Sequence, residues 1–166
     1  MHLKPVAPSE IPAFRRMVEA YWQEIMPAAD VVKHVQQRNA YFQQALSWQE
    51  GAQSPCWAIS DGNMVGFTHY SLTPDHKRAI IEDFYVVPAH RRHGYGSAMV
   101  RALHHLFNTY GVKVVELNVR RDTPQALAFW EAQGFRIALY GMRQYRDPTT
   151  GQTFIGALSS DFDVAE

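Results

Sequence analysis

Residues 80–99 read IIEDFYVVPAHRRHGYGSAM. The β-branched and aromatic run reads as a strand over Ala79–Val87. It ends at Pro88, which cannot donate a ladder hydrogen bond inside a sheet. From Tyr95, the positions Met99, Val100, Leu103, Leu106, Phe107 and Tyr110 recur at helical spacing, and Gly111 suits the C-terminal cap. Between strand and helix lie Arg91, Arg92, Gly94 and Gly96. A strand that empties through a basic, glycine-containing loop into a helix points to phosphate. Free amides at a helix N-terminus carry partial positive charge, glycine lets main chain approach an anion, and arginine adds bidentate donors.

Working outward, His2–Val6 reads as a first strand and Pro8-Ser9 as a helix start with the serine oxygen as cap. Ile11, Phe14, Met17, Val18 and Tyr21 then define one buried helical face. A second helix is expected from near Asp30 to Gly51. Cys56–Ser60 and Met64–Leu72 read as antiparallel strands joined by a tight turn at Asp61-Gly62-Asn63. Beyond the glycine-containing loop and its helix, Lys113–Val119 reads as a strand. Thr123-Pro124 reads as N-cap and first-turn proline of a helix that stops at Gly134. Phe135–Tyr145 and Gln152–Ser159 are the last expected strands. The order predicts an α+β fold, a mixed sheet covered by helices, in one domain over residues 1–166.

The composition excludes several function classes. Sixteen basic and sixteen acidic side chains leave no net charge, so no global field favours nucleic acid or an anionic membrane. The single Cys56 rules out an internal disulfide framework and leaves no thiolate metal site. No run approaches the roughly 20 apolar residues of a membrane span. The expectation is a cytoplasmic protein that binds neither metal, membrane nor nucleic acid. His90, His93, His104 and His105 lack a matching set of carboxylate or cysteine ligands and read as solvated.

Arg91, Gly94 and Gly96, preceded by Val86-Val87-Pro88-Ala89-His90, resemble the pyrophosphate loop of the GNAT superfamily of acyl-CoA-dependent N-acyltransferases. A second likeness covers Thr123–Phe135, TPQALAFWEAQGF, through Ala126, Phe129, Gly134 and Phe135. Rossmann and NTPase readings fare worse, because residue 99 is methionine where a third glycine would stand and no Gly-Lys-Ser/Thr occurs. The resemblance implies a mostly antiparallel central sheet with helices on both faces. It also implies acetyl-CoA as cosubstrate, direct attack by a primary amine in a ternary complex, and a homodimer.

The same resemblance suggests roles. Arg91, Arg92, His93, Gly94, Tyr95, Gly96 and Ser97 would hold the pyrophosphate. The backbone of Phe84, Tyr85, Val86 and Val87 would hold the pantetheine arm, with an amide near Val86 polarising the acyl carbonyl. Asn118 would hold a pantetheine amide. IIEDFYV resembles the polyamine acetyltransferase branch and makes Glu82 the first candidate for the base. Asp83 is the alternative, since adjacent strand residues face opposite sides. Trp130 stands where many relatives have a tyrosine that protonates the departing thiolate. It belongs either to the cofactor site or to the packing. Either no general acid is needed or Tyr140 supplies the proton. Trp22 and Trp48 are candidates for holding the acceptor amine by aromatic packing and cation–π attraction. A CoA-binding sensor without turnover is the rival reading.

Overall fold

A computed structural model of the chain describes residues 1–25, 40, 53–60, 62–139, 145–146 and 153–154. β1 (His2–Pro5) leads through a 3-10 turn at Pro8–Glu10 into α1 (Ile11–Ile25). β2 (Gln53–Ser60), β3 (Asn63–Leu72) and β4 (Arg78–Val86) follow. Then come α2 (Tyr95–Tyr110), β5 (Val114–Leu117), α3 (Pro124–Ala132), β6 (Tyr145–Arg146) and β7 (Thr153–Phe154). Five strands form one sheet in the order β1-β2-β3-β4-β5, antiparallel except for the parallel β4–β5 pair. β6 and β7 pair antiparallel in a separate two-stranded sheet. The expected helix between Asp30 and Gly51 falls outside the described residues, residue 40 apart. Trp48 and Tyr140 fall outside them too.

Alternation along the strands feeds two cores. On one face, Phe14 and Val18 of α1 pack on Trp57, Phe67 and Tyr85. Phe14 meets Trp57 and Phe67 edge-to-face at 5.4 and 5.3 Å. Full burial of such a ring contributes about 1.5–3 kcal/mol. On the other face, Val100, Leu103 and Phe107 of α2 and Trp130 of α3 cover Cys56, Tyr70, Leu72, Ala79 and Ile81. Helices therefore lie on both faces of the sheet.

Four local expectations are corrected. Ser9 lies inside the 3-10 turn, and Glu10 takes over the expected capping role by accepting the Ala7 N–H at 2.9 Å. Thr123 occupies the N-cap position of α3 without capping it. Its hydroxyl instead donates to the Arg120 carbonyl at 2.7 Å. β5 stops at Leu117 rather than Val119 because its pairing with β4 stops there. Residues 135–139 form no strand. Gly134 takes a φ of 93° and the Phe135 N–H returns to the Trp130 carbonyl at 3.1 Å, so this segment closes α3.

Candidate active site

The sheet opens at the middle of β4. Its first half is sandwiched, paired with β5 only from Arg78↔Val114 to Ile81↔Leu117. Its second half continues to Val86 with β3 as its only partner strand among the described residues. Val87 donates its N–H to the Val65 carbonyl at 3.0 Å. Main-chain groups alternate sides along an antiparallel strand, so the N–H groups of Phe84 and Val86 point away from β3 into the opening. Asn118 follows directly on the last paired residue of β5 and is exposed beside that opening.

The loop after β4 builds an anion cradle. Arg92 and Gly94 both adopt left-handed backbone, with φ of 65° and 78°, which costs a non-glycine residue roughly 1–2 kcal/mol. The first amide bonded at the start of α2 is Ala98, which donates to the Gly94 carbonyl at 3.0 Å. The Tyr95, Gly96 and Ser97 amides precede it and have no intrahelical acceptor. Together with the helix dipole they form a donor set that fits a diphosphate. A Cβ on Gly94 would meet nothing within 4 Å, so glycine answers the backbone angle there. At Gly96 a Cβ would lie 3.1 Å from the Phe129 ring, so this glycine also lets α3 approach α2. His93 Nδ1 donates to the Arg91 carbonyl at 2.6 Å, and its ring lies beside that of Tyr95.

Arg91 is held by neighbouring protein groups. Its Nε donates to the Val86 carbonyl at 2.8 Å and a terminal nitrogen donates to Glu24 Oε2 at 2.6 Å. The guanidinium also lies 5.4 Å from the centre of the Tyr85 ring. It braces the end of β4 against α1. The Tyr85 hydroxyl donates to Glu24 Oε1 at 2.8 Å. Burial, then that bond and the Glu24 charge, push the phenol up to about 12.

The two candidate carboxylates lie closer in direction than strand alternation predicts. His69 pairs with Asp83 and Tyr70 with Ile81, leaving Glu82 as an extra residue in a β-bulge. Glu82 Oε1 accepts the Ser71 hydroxyl at 2.9 Å. Asp83 Oδ2 lies 3.4 Å from His69 Nδ1. Ser71 and His69 are two apart on β3 and share a face, so the bulge turns both acids toward the α1 side. Their surroundings differ, because Glu82 is exposed whereas the Asp83 side chain is 14% accessible. Asp83 is also hydrogen-bonded to Tyr21, whose phenol is held well above the ordinary tyrosine range by burial and that neighbouring charge.

On the other face, Trp130 is 8% exposed and its ring packs against Phe84, Phe129 and Phe135 at 4.8, 5.1 and 5.1 Å. Its surface is spent on the core. Trp22 is partly buried against the α1-side cluster. The structure thus gathers Glu82, Asp83, Phe84, Tyr85, Val86 and the cradle along one strand and loop. Reasoning from sequence misses Glu24, His69 and the bulge. The bulge has a signal, since inward apolar positions run 79, 81, then 84 instead of every second residue.

An α+β sheet half-open along β4, beside a main-chain anion cradle, is the arrangement the described residues build. Residues 14–135 match the family model described as Acetyltransferase (GNAT) family, and the chain belongs to that family. An aminoglycoside N-acetyltransferase solved with CoA is similar in fold, with a TM-score of 0.65 and 16% identity over 88% of this chain and 93% of that one. A ribosomal-protein-alanine N-acetyltransferase from Brucella melitensis has a TM-score of 0.63 and 20% identity over 89% and 100%. An aminoglycoside acetyltransferase from a soil metagenome, solved with sisomicin, has a TM-score of 0.63 and 15% identity over 87% and 94%. Among curated proteins, no sequence match was found. No group of His, Cys, Asp and Glu among the described residues is arranged to hold a metal, and none of the described helices is long and apolar enough to cross a membrane.

Proposed function

We propose that the protein transfers an acetyl group from acetyl-CoA to a primary amine of a small molecule, by direct attack in a ternary complex. The observation that carries this reading is the continuity of two sets of main-chain donors. The open edge of β4 ends beside the start of α2, where a Cβ on Gly96 would lie 4.0 Å from the Val86 side chain, so the amides of Tyr95–Ser97 extend the line of donors. That layout suits a long ligand with amides along its arm and a diphosphate at its end.

Acetyl-CoA would supply the activated acyl carbon as a thioester. The amides of Tyr95, Gly96 and Ser97 hold the diphosphate. Phe84 and Val86 offer their main chain to the arm, and Asn118 stands where it can hold an arm amide. The Val86 N–H aims at the acyl oxygen, where negative charge grows during attack. An alkyl ammonium must lose its proton before attacking. Glu82, exposed on the α1 side, accepts that proton, with Asp83 as a more enclosed second acid. No phenol stands at position 130, so the thiolate departs unaided or with Tyr140 as donor. Trp22 and Trp48 are proposed as walls for the acceptor.

Neighbours in fold whose names specify aminoglycosides and a protein alanine keep the acceptor class broad, and the IIEDFYV likeness adds polyamines. The test is calorimetric titration with acetyl-CoA followed by thiol release against polyamines, amino acids and aminoglycosides. Binding with amine-dependent release is expected. Tight binding without release from any amine would favour a sensor, and no binding would overturn the reading of the loop.

A further inference from the structure

We infer that Glu24 is a positioning residue for acyl transfer, gripping Tyr85 and Arg91 together and thereby fixing the Val86 N–H in the opening of the sheet. The inference rests on the function proposed above and assigns a role to a side chain outside the cosubstrate loop and β4.

Glu24 uses both oxygens of its carboxylate. Oε1 accepts the Tyr85 hydroxyl at 2.8 Å and Oε2 accepts the Arg91 guanidinium at 2.6 Å. The same guanidinium passes the restraint on, through Nε, to the Val86 carbonyl at 2.8 Å. Glu24 therefore holds the residue before the Val86 N–H by its side chain and the peptide after it by its carbonyl. β3 holds Val86 from its far side, paired with Gly66. On the open side no strand among the described residues pairs with β4 beyond Ile81↔Leu117, so the Glu24 bonds supply restraint that strand pairing does not give there.

An anchor must itself be fixed. The Ile25 carbonyl, next to Glu24, accepts Arg120 at 2.9 Å, and Arg120 is oriented by Asp122 at 2.6 and 3.0 Å. Arg120 belongs to the segment after β5. The C-terminal end of α1 is thus pinned from both walls of the opening, by Arg91 on the β4 side and Arg120 on the β5 side. An oxyanion donor is effective in proportion to its preorganisation, and small displacements are costly.

The experiment compares Glu24→Gln and Glu24→Ala with wild type in acetyl-CoA calorimetry, thiol release and thermal unfolding. The acceptor is the amine that releases thiol fastest from wild type. Glu19→Gln, on the same helix, is the control. Glu24→Ala is expected to lower kcat on the order of 10- to 100-fold, with the acetyl-CoA KM moved less than about threefold and with Glu24→Gln intermediate. Tyr85→Phe should cost less alone and add almost nothing in the Glu24→Ala background, because both act through one link. In 15N–1H spectra, the Val86 amide of Glu24→Gln should shift less on adding acetyl-CoA than it does in wild type. Unchanged kcat, additive Tyr85 and Glu24 effects, or a loss confined to acetyl-CoA affinity would overturn the inference. Wild type that fails to bind acetyl-CoA would overturn the proposed function instead, whatever the Glu24 variants do.

Discussion

The two halves of β4 belong to one strand, yet they are built for different purposes. Arg78–Ile81 has a strand on each side, and Ala79 and Ile81 are driven into the α2 face at 0% and 4% exposure. Residues 82–86 have, among the described residues, a strand on one side only, and what they present is main chain, two carboxylates and a phenol tied to α1. Pairing on both sides uses up every donor and favours burial. Pairing on one side leaves donors that a ligand can take, provided something else keeps the strand straight. The bulge at Glu82 marks the boundary, and Arg91 with Glu24 supplies the missing restraint.

Substitutions should separate the halves. The largest effect is expected at Gly66, opposite Val86, where a Cβ would run into the Tyr85 carbonyl oxygen. Gly66→Ala should cost more than about 4 kcal/mol in urea unfolding, because main chain must move. A loss below about 1 kcal/mol would show that the β3–β4 pairing there is looser than described. In the paired half, Ile81→Ala should cost about 3 kcal/mol of stability through lost burial and a cavity. Acetyl-CoA affinity per folded molecule should stay the same. A large affinity change at Ile81 would break the comparison. In the open half the pattern reverses. Glu82→Gln should leave the unfolding midpoint nearly unchanged and lower kcat on the order of 100-fold, the scale of a lost general base. Asp83→Asn should cost more stability than rate, given its contacts with His69 and Tyr21.

The smallest effect concerns the phenol of Tyr85. Its folded value, about 12, lies above the ordinary 10.0. A group whose proton is held more tightly in the folded state contributes fully below the unfolded value and loses that contribution as pH rises through the folded one. Tyr85→Phe should therefore flatten the fall in stability between about pH 10 and 12, and cost under about 1 kcal/mol at neutral pH. Denaturation series across that range check the sign. A steeper alkaline fall in the variant would contradict the bond to Glu24.

Much of this arrangement is legible in the amino-acid sequence. The proline at 88, the glycines at 94 and 96 and the apolar spacing from Met99 to Tyr110 locate the strand, loop and helix almost to the residue, because each obeys local rules of backbone freedom and burial. Gly111 caps α2 with a φ of 75° as expected. The face of Asp83 escapes such reading because a bulge is a property of two strands in register, and alternation within one strand carries only an indirect trace of it. The bond from Arg91 to Glu24 escapes it too, because loop chemistry says nothing of a carboxylate 67 positions earlier in the chain. Ser9 and Thr123 satisfy the pattern of helix caps, but neighbouring Glu10 and the Arg120 carbonyl decide the geometry there.

At the centre of the proposed function, one ligand lies along the open half of β4 with its diphosphate on the amides before Ala98. A 15N–1H titration of the intact protein with acetyl-CoA tests this directly. The largest shifts are expected on the amides of Tyr95, Gly96 and Ser97 and on those of Phe84 and Val86, while Ala79 and Ile81 barely move. Shifts centred elsewhere, such as the groove lined by Leu3, Tyr70, Arg101 and His105, or no shifts at saturating acetyl-CoA, would contradict it.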